Sequence, residues 1–156
     1  MENSRNKLFK KNLAKREKFG VQIYLHGTDE RWNGDIGNIS ESFPSDFQTD
    51  FGPGFYTTRF GEPFATGNAI FFAGRRAARG GKRVINVYSL LESTWNHWND
   101  RGLVAFRTPK QELSFGDTTK NVIHGGITAR SGLQYKFQNG STGSLFPTMQ
   151  IILPAK

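Results

Sequence analysis

The alternation of apolar and polar positions along the chain predicts five β-strands. Runs rich in Val, Ile, Leu, Phe and Tyr, bounded by Gly, Pro and Asn, are typical of strands. They occur at residues 20–25, 54–58, 83–90, 121–129 and 149–153. The first strand is predicted to end at His26. A polar segment of about 20 residues separates it from the second strand, and a connection of that length in a domain is commonly functional or mobile.

One segment has the period of a helix. It follows Gly61-Glu62-Pro63, where proline is tolerated in a first turn, and it is predicted to end at Gly80-Gly81. Its apolar positions with helical spacing are Ala65, Ala69, Ile70, Phe72 and Ala73. The aromatic residues in 92–107 predict a short helix or a lid. The elements together indicate an α+β domain built on a strongly curved, mainly antiparallel sheet with one principal helix.

Composition narrows the class of protein. A chain of 156 residues is long enough for one core, and fourteen Phe with eighteen Gly favour a β-rich architecture with many turns. The absence of Cys excludes disulfides, thiol nucleophiles and zinc–thiolate sites. No apolar run has the length of a membrane-spanning helix, so no membrane partner is expected. The expected domains are a basic extension at 1–19, with no hydrophobic segment of a secretory signal after it, and one domain at 20–156.

The net charge of +8 is distributed unevenly. Residues 1–19 hold seven basic and two acidic side chains, a net of +5. A second basic cluster consists of Arg75, Arg76, Arg79, Lys82 and Arg83. Such clusters favour a polyanionic partner, whether a cofactor pyrophosphate, a nucleic acid or an anionic surface. A solvated tail and a helix C-terminus that attracts cations explain the same charges equally well.

Two short signatures lie about 30 residues apart. Residues 24–28 read Tyr-Leu-His-Gly-Thr, and residues 50–58 read Asp-Phe-Gly-Pro-Gly-Phe-Tyr-Thr-Thr. They predict a histidine at the end of one strand and an exposed tyrosine on the next. His26 or Tyr56 alone would more often be a packing residue. Their joint occurrence, each near a glycine that permits close backbone approach, favours a binding site.

These signatures resemble those of small, bacterial-type ADP-ribosyltransferase-like domains. That group reads histidine-glycine-Ser/Thr, then D-F-G-x-G-F-Y-x-T, then a helix and a valine-rich strand. Residues 121–129 resemble its V-x-G-P-V-A strand, and residues 149–152 resemble its closing N-D-Q-I-x-F element. The resemblance covers about residues 22–153 and leaves 1–19 outside. It implies the ADP-ribosyltransferase-like fold, whose sheet is split.

The resemblance also implies NAD as co-substrate and roles for individual residues. His26 would bond a ribose hydroxyl, the backbone of Gly27 would pair with the nicotinamide carboxamide, and Tyr56 would stack on the nicotinamide ring. Thr28 would support the strand end, and the expected cofactor site is completed by Gly54, Phe55 and Thr57. The reaction would break the nicotinamide–ribose bond through an oxocarbenium-like state, as in glycoside hydrolysis.

The chain departs from this pattern at the last strand. Many such transferases have a glutamate there, but no Asp or Glu follows Asp117, and Gln150 is the local candidate for the catalytic position. A carboxylate ~4 Å from the ribose cation is worth about 4 kcal/mol at an effective dielectric near 20. Its absence would cost roughly three decades in rate. Glu112 and Asp117 are possible substitutes, although both precede the predicted strand at 121–129.

Three functions stay open at this point. The first is a mono-ADP-ribosyltransferase of the toxin, effector or defence type, which modifies a protein or nucleic-acid acceptor and has a possible inhibitor or immunity partner. The second is an NAD glycohydrolase. The third is a catalytically silent module that binds nucleic acid or an ADP-ribose-like ligand, with Trp95 and Trp98 stacking on bases.

Two further expectations concern location and metals. The expected location is the cytoplasm of the producing or target cell, with secretion by a non-classical route possible. The three histidines lack the spacing of a metal site, and His97 and His124 are predicted to be structural.

Overall fold

Seven strands and two α-helices make up the part of the chain that the computed structural model describes, namely residues 20–29, 36–37, 39–41, 50–77, 81–109, 119–128 and 130–155. The strands are β1 Val21–Asp29, β2 Phe55–Arg59, β3 Lys82–Leu91, β4 Val104–Phe106, β5 Val122–Ile127, β6 Arg130–Phe137 and β7 Phe146–Ala155. The helices are α1 Ala65–Arg76 and α2 Glu92–Asp100, and a 3₁₀ turn covers Ser141–Ser144. The predictions made for residues 1–19, Arg79, Glu112 and Asp117 lie outside the described residues.

The strands form one sheet in the order β4-β5-β6-β2-β1-β3-β7. Only the β4–β5 pair is parallel among the described strands. The chain is therefore an α+β protein with a mostly antiparallel sheet, as predicted. The longer helix, α1, lies where the principal helix was predicted, and α2 is a short helix within residues 92–107, where a short helix or a lid was expected. Trp95 and Trp98 lie three positions apart on it, so both rings face the sheet and join its core.

Helix α1 packs directly over β1 and β3. Ala69 and Ala73 are fully buried against Leu25, Ile85 and Val87. Small residues on the helix allow the close approach, and Gly27 on β1 does the same from the other side. A Cβ built on Gly27 would lie 2.2 Å from the Ala69 carbonyl oxygen, so this position has room only for glycine.

The opposite face of the sheet carries the larger core. Its members are aromatic and branched side chains that meet edge to face, and α2 covers them through Trp98. They are Tyr24, Phe55, Tyr88, Leu90, Trp98, Val122, Tyr135, Phe137 and Leu145. β3 is thus covered on both faces, which explains why the strand at 83–90 reads as a nearly continuous apolar run.

Several predicted boundaries were wrong. β1 extends to Asp29 because β3 pairs with all nine of its residues, so His26 lies inside the strand and does not end it. β2 begins one residue later than predicted, α1 ends at Arg76, and β7 is longer than predicted at both ends. Residues 92–107 divide into α2 and β4, and β6 was not predicted.

One residue of the long polar segment is hydrogen-bonded to the 3₁₀ turn, about 100 residues later in the chain. The Glu41 carboxylate accepts hydrogen bonds from the Gly140 amide at 2.8 Å and the Thr142 amide at 3.1 Å. It also accepts one from the Thr142 hydroxyl at 2.5 Å. These bonds satisfy amides of the 3₁₀ turn that have no partner within the turn. Within the described ranges, no helix is both long and apolar enough to cross a membrane.

Candidate functional site

The sheet opens between β1 and β2. Their ladder consists of Tyr24 with Arg59 and Leu25 with Thr58, whereas β1 and β3 pair over nine residues. The amide of Phe60 donates to the Ile23 carbonyl at 2.8 Å, so the backbone groups of Ile23 point toward β2. Alternate residues of a strand point the same way, and the N–H and C=O of Gly27 are therefore directed into the opening.

His26 occupies the point at which the strands part. Its Nδ1 lies 2.7 Å from the carbonyl oxygen of Tyr56, which can only accept, so Nδ1 carries the proton. The ring stacks on Phe55 with centroids 4.0 Å apart. Burial, and secondarily the positive charge of Arg76, lowers the pKa of His26 to about 4. At neutral pH the imidazole is uncharged and its Nε2 is a hydrogen-bond acceptor.

A row of polar side chains continues from His26 across two more strands. His26 pairs with Asn86 on β3, and Asn86 pairs with Gln150 on β7. Directly opposed residues of antiparallel strands point to the same face, so the three side chains lie side by side. Gln150 Nε2 donates to Asn86 Oδ1 at 3.0 Å. The sheet thus brings together the predicted residues His26 and Gln150, two strands apart.

Tyr56 is half-buried, whereas the sequence predicted an exposed side chain. Its ring packs on Phe51, Ala105 and Ile123. Its hydroxyl donates to the Gly52 carbonyl at 2.5 Å and accepts from the Phe51 amide at 3.0 Å. The glycine-rich turn before β2 is therefore folded around this side chain. Because Tyr56 alternates with Phe55 along β2, its ring lies on the opposite face of that strand from the ring stacked on His26.

The other predicted cofactor residues are buried or close to the opening. Thr28 is buried on the same face as His26, two residues further along β1. Thr57 is buried and donates its hydroxyl to the Tyr135 carbonyl at 2.9 Å. A Cβ at Gly54 would lie 2.4 Å from the Lys136 side chain. Because glycine has no Cβ, the buried Lys136 side chain can lie against the backbone at this position. Lys136 Nζ donates to the Phe51 carbonyl and ties β6 to the same turn.

Basic side chains gather beside this end of the sheet. Arg75 and Arg76 occupy the last turn of α1, where cations complement the helix dipole. Lys82 and Arg83 begin β3, and Arg83 pairs with Asp29 at the end of β1. Two residues of the predicted cluster thus end α1 and two begin β3, and Arg83 lies opposite Asp29 at the end of β1 that follows His26.

The tryptophans and His124 have packing roles, whereas His97 is exposed and its Nδ1 lies 2.8 Å from the Arg101 guanidinium. Trp98 is 7% exposed, and the Arg59 guanidinium lies over Trp95 at 4.5 Å and over Tyr135 at 4.4 Å. Trp98 is therefore buried, and one face of the Trp95 indole is occupied by the Arg59 guanidinium. His124 stacks on Tyr135 with centroids 4.9 Å apart, and burial and the charge of Arg59 lower its pKa to about 4.

Asn86 is the site residue that the sequence reasoning missed. It is 4% exposed and is the one polar residue in the run Val84-Ile85-Asn86-Val87-Tyr88. A single amide inside a buried apolar strand was the available signal, because burying an amide is costly without hydrogen bonds.

The described residues contain no group of three or more side chains that could hold a metal ion. The arrangement offers instead two backbone groups and an uncharged imidazole at the opening, and two amides that continue the row from the imidazole across β3 and β7. Comparison of the chain with protein-family models, with curated proteins and with solved structures finds no match.

Proposed function

We propose that the chain binds NAD in the opening between β1 and β2, breaks its nicotinamide–ribose bond and transfers ADP-ribose to a protein or nucleic acid. The observation that carries this proposal is the early end of the β1–β2 ladder, which directs the N–H and C=O of Gly27 into the opening. A donor and an acceptor on one residue are complementary to a carboxamide, which has an acceptor oxygen and a donor nitrogen. Two such bonds would orient the nicotinamide against β1.

The state of His26 fits a contact with the ribose. Its pKa of about 4 keeps the ring uncharged, and Nε2 can accept a hydrogen bond from a hydroxyl group. An uncharged ring also avoids a positive charge beside the ribose, which itself becomes cationic when the bond breaks. Gln150, in the same row, adds a carbonyl oxygen, whose partial negative charge stabilises the cation more weakly than a carboxylate would.

The reaction needs a negative charge to stabilise the ribose cation, and the row of polar side chains does not supply one. The row from β1 to β7 consists of one imidazole and two amides, all uncharged. We propose that an anionic acceptor, such as a nucleic-acid phosphate or a target carboxylate, supplies this charge. Arg75, Arg76, Lys82 and Arg83 would attract that acceptor to the end of the sheet next to His26.

The test is nicotinamide release from NAD by the parent protein, His26→Gln and Tyr56→Ala, with and without cell lysate. His97→Gln is the matched control, because His97 lies on the exposed surface of α2. A transferase releases nicotinamide only with lysate, and both site variants lose this release while the control keeps it. Equal release by the parent and His26→Gln would contradict the assigned site.

Two other functions give different results in the same assay. An NAD glycohydrolase uses water as acceptor and releases nicotinamide in buffer alone. A silent binding module, which the uncharged row favours, releases none under either condition. It would bind a nucleic acid with an affinity that falls steeply with salt, because the basic side chains would neutralise phosphates.

A further inference from the structure

The connection between β2 and α1, residues 60–64, begins and ends with an exposed aromatic side chain. Phe60 is 60% exposed and Phe64 is 62% exposed. The φ angle of Phe64 is 68°, a left-handed conformation that bulky residues rarely adopt. Its carbonyl accepts the Asn68 amide at 2.9 Å, which fixes this backbone at the start of α1. Strained backbone is concentrated at ligand contacts, so the outward ring of Phe64 is a candidate contact.

Two arginine side chains lie against one aromatic ring further along α1. The Arg130 guanidinium is 3.8 Å from the centre of the Phe71 ring, and the Arg75 guanidinium is 5.7 Å from the same point. Arg130 Nε also donates to Asn68 Oδ1 at 2.8 Å. Asn68 is buried and Arg130 is exposed, so the guanidinium is held in place and can still reach a ligand in solvent. Two like charges near one ring repel each other, and a bound anion would offset that repulsion.

Contacts to β6 place Phe64 beside these arginines. A Cβ built on Gly132 would lie 3.2 Å from Phe64 Cβ and 2.5 Å from Asn68 Nδ2, so these two side chains are neighbours at the start of β6. Phe71 lies three positions after Asn68, and Arg75 lies four positions after Phe71, which puts them on one face of α1. The resulting surface, which we call the α1 row, consists of Phe64, Phe71, Arg75 and Arg130.

The α1 row is a cationic surface. The sequence from 63 to 91 contains no Asp or Glu. The acid that precedes this stretch, Glu62, accepts a hydrogen bond at 2.7 Å from Tyr135, which belongs to the larger core on the other face of the sheet. Asp50, near the start of β6, accepts hydrogen bonds from Thr128 and Gln134. The row therefore combines two guanidinium groups with an exposed ring, and its potential favours an anion.

We propose that the α1 row binds single-stranded nucleic acid, with an unpaired base stacked on Phe64 and backbone phosphates bonded by Arg130 and Arg75. An aromatic ring can stack on the face of any base, but the bases of a duplex are already stacked on each other. The binding itself does not depend on the NAD site. That the bound strand is the acceptor of ADP-ribose rests on the function proposed above.

The fixed position of Arg130 favours phosphates of a nucleic acid over an anionic membrane. A guanidinium presents a planar fork of donors that matches phosphate oxygens. Because Asn68 and Phe71 already hold this fork, binding a phosphate orders little additional side chain. An anionic membrane attracts basic segments through net charge and needs no fork of fixed orientation.

The test is fluorescence anisotropy of labelled DNA and RNA oligonucleotides of one sequence, as single strands and as duplexes, without NAD. The variants are Arg130→Gln and Phe64→Asn, which removes the ring and suits a left-handed backbone. The matched controls are Phe146→Thr, which removes another exposed ring on β7, and Arg101→Gln, which removes an exposed arginine after α2.

We expect the parent to prefer single strands and Phe64→Asn to bind them about tenfold more weakly, since the stacking of one base is worth about that factor. Arg130→Gln should lower the slope of log affinity against log salt by about 0.7, the share of one phosphate on a single strand. Both controls should bind like the parent. Unchanged binding by Phe64→Asn, or a parent that binds duplexes as tightly as single strands, would overturn the proposal. So would binding by the parent to phosphatidylserine vesicles but to no oligonucleotide.

A second measurement uses only the parent and covers the case in which Phe64→Asn does not fold. Single strands that contain 5-iodouracil are cross-linked to the protein by ultraviolet light, and the cross-linked tryptic peptide is identified by mass spectrometry. We expect the peptide 60–75, and cross-links confined to other peptides would contradict the proposal. A protein that binds single strands but releases no nicotinamide with lysate or oligonucleotide loses the function proposed above and keeps this surface. Release of nicotinamide without any binding of single strands overturns this inference alone.

Discussion

Replacing Gly27 with alanine tests whether α1 rests directly on the strand that carries the site. The new Cβ would lie 2.2 Å from the Ala69 carbonyl oxygen and 2.5 Å from the Ala73 amide nitrogen. Favourable non-bonded contacts lie at about 3.5–4.0 Å, so the helix must move away by about 1 Å or more. Both atoms belong to the helix backbone and cannot rotate out of the way. We expect a loss of about 3 kcal/mol, the upper end of the overpacking range.

The assay is urea unfolding followed by tryptophan fluorescence, because Trp98 is buried in the core beside Phe137. Gly67→Ala is the matched control, since Gly67 lies on the same helix and a Cβ there meets nothing within 4 Å. That change should stabilise the protein by up to about 1 kcal/mol through helix propensity alone. The two substitutions are chemically identical, but their effects on the free energy of unfolding should have opposite signs, because only the Cβ at position 27 meets backbone atoms.

A Gly27→Ala protein as stable as the parent would refute the close packing of α1 on β1. It would also remove the reason given for a glycine after His26. If the variant is destabilised but folded, its larger spacing between helix and strand should also weaken NAD binding, because the backbone of Gly27 would be displaced with β1. Gly67→Ala should leave NAD binding unchanged.

Three further outcomes are expected. His26 and His124 have a pKa of about 4 in the folded protein, below the ordinary 6.5. The unfolded chain therefore takes up these protons first as the pH falls below 6.5, and the free energy of unfolding should drop toward pH 4 by at most about 3 kcal/mol for each histidine. A urea midpoint that does not change between pH 7 and 4 would contradict this expectation. Tyr56→Phe removes two hydrogen bonds to the turn at 51–54, so it should lower the free energy of unfolding by about 1–2 kcal/mol and raise the KM for NAD. An unchanged KM would show that the turn does not contribute to NAD binding. Gln150→Glu should raise nicotinamide release by up to roughly three decades, and an unchanged rate would refute the argument from missing charge.

Local sequence patterns were sufficient to predict the elements whose apolar residues form either a continuous run or a helical spacing. The continuous apolar run of β3 and the helical spacing of Ala69 and Ala73 were both found. β6 was missed although Leu133, Tyr135 and Phe137 alternate with polar residues. Gln134 and Lys136 between them are buried as well, because their partners are Asp50 and the turn at 51–54, more than 80 residues earlier in the chain. A pattern read within a short window cannot contain such partners.

The candidate site was predictable to the extent that it lies in short signatures. His26 and Tyr56 stand out because each lies near a glycine, Gly27 and Gly54 respectively. The neighbourhood of Asn86 and Gln150 depends on the register of three strands that are distant in sequence. A shift of one residue would turn Asn86 to the other face of the sheet, and no local feature of β3 excludes that shift. The exposure expected for Tyr56 was wrong because its hydroxyl closes the preceding turn.

The short ladder between β1 and β2 has a mechanical consequence. Four strands on one side and three on the other are joined at a seam, through the backbone by two residue pairs and the Phe60–Ile23 bond, and the His26 side chain adds its bond to the Tyr56 carbonyl. A molecule that filled the opening would span this seam and add the cross-links that the backbone lacks there. Its effect would extend beyond the residues that it touches, because each half of the sheet would lose freedom to twist against the other. Amide hydrogens on β5 and β6, which carry no residue of the candidate site, would then exchange more slowly.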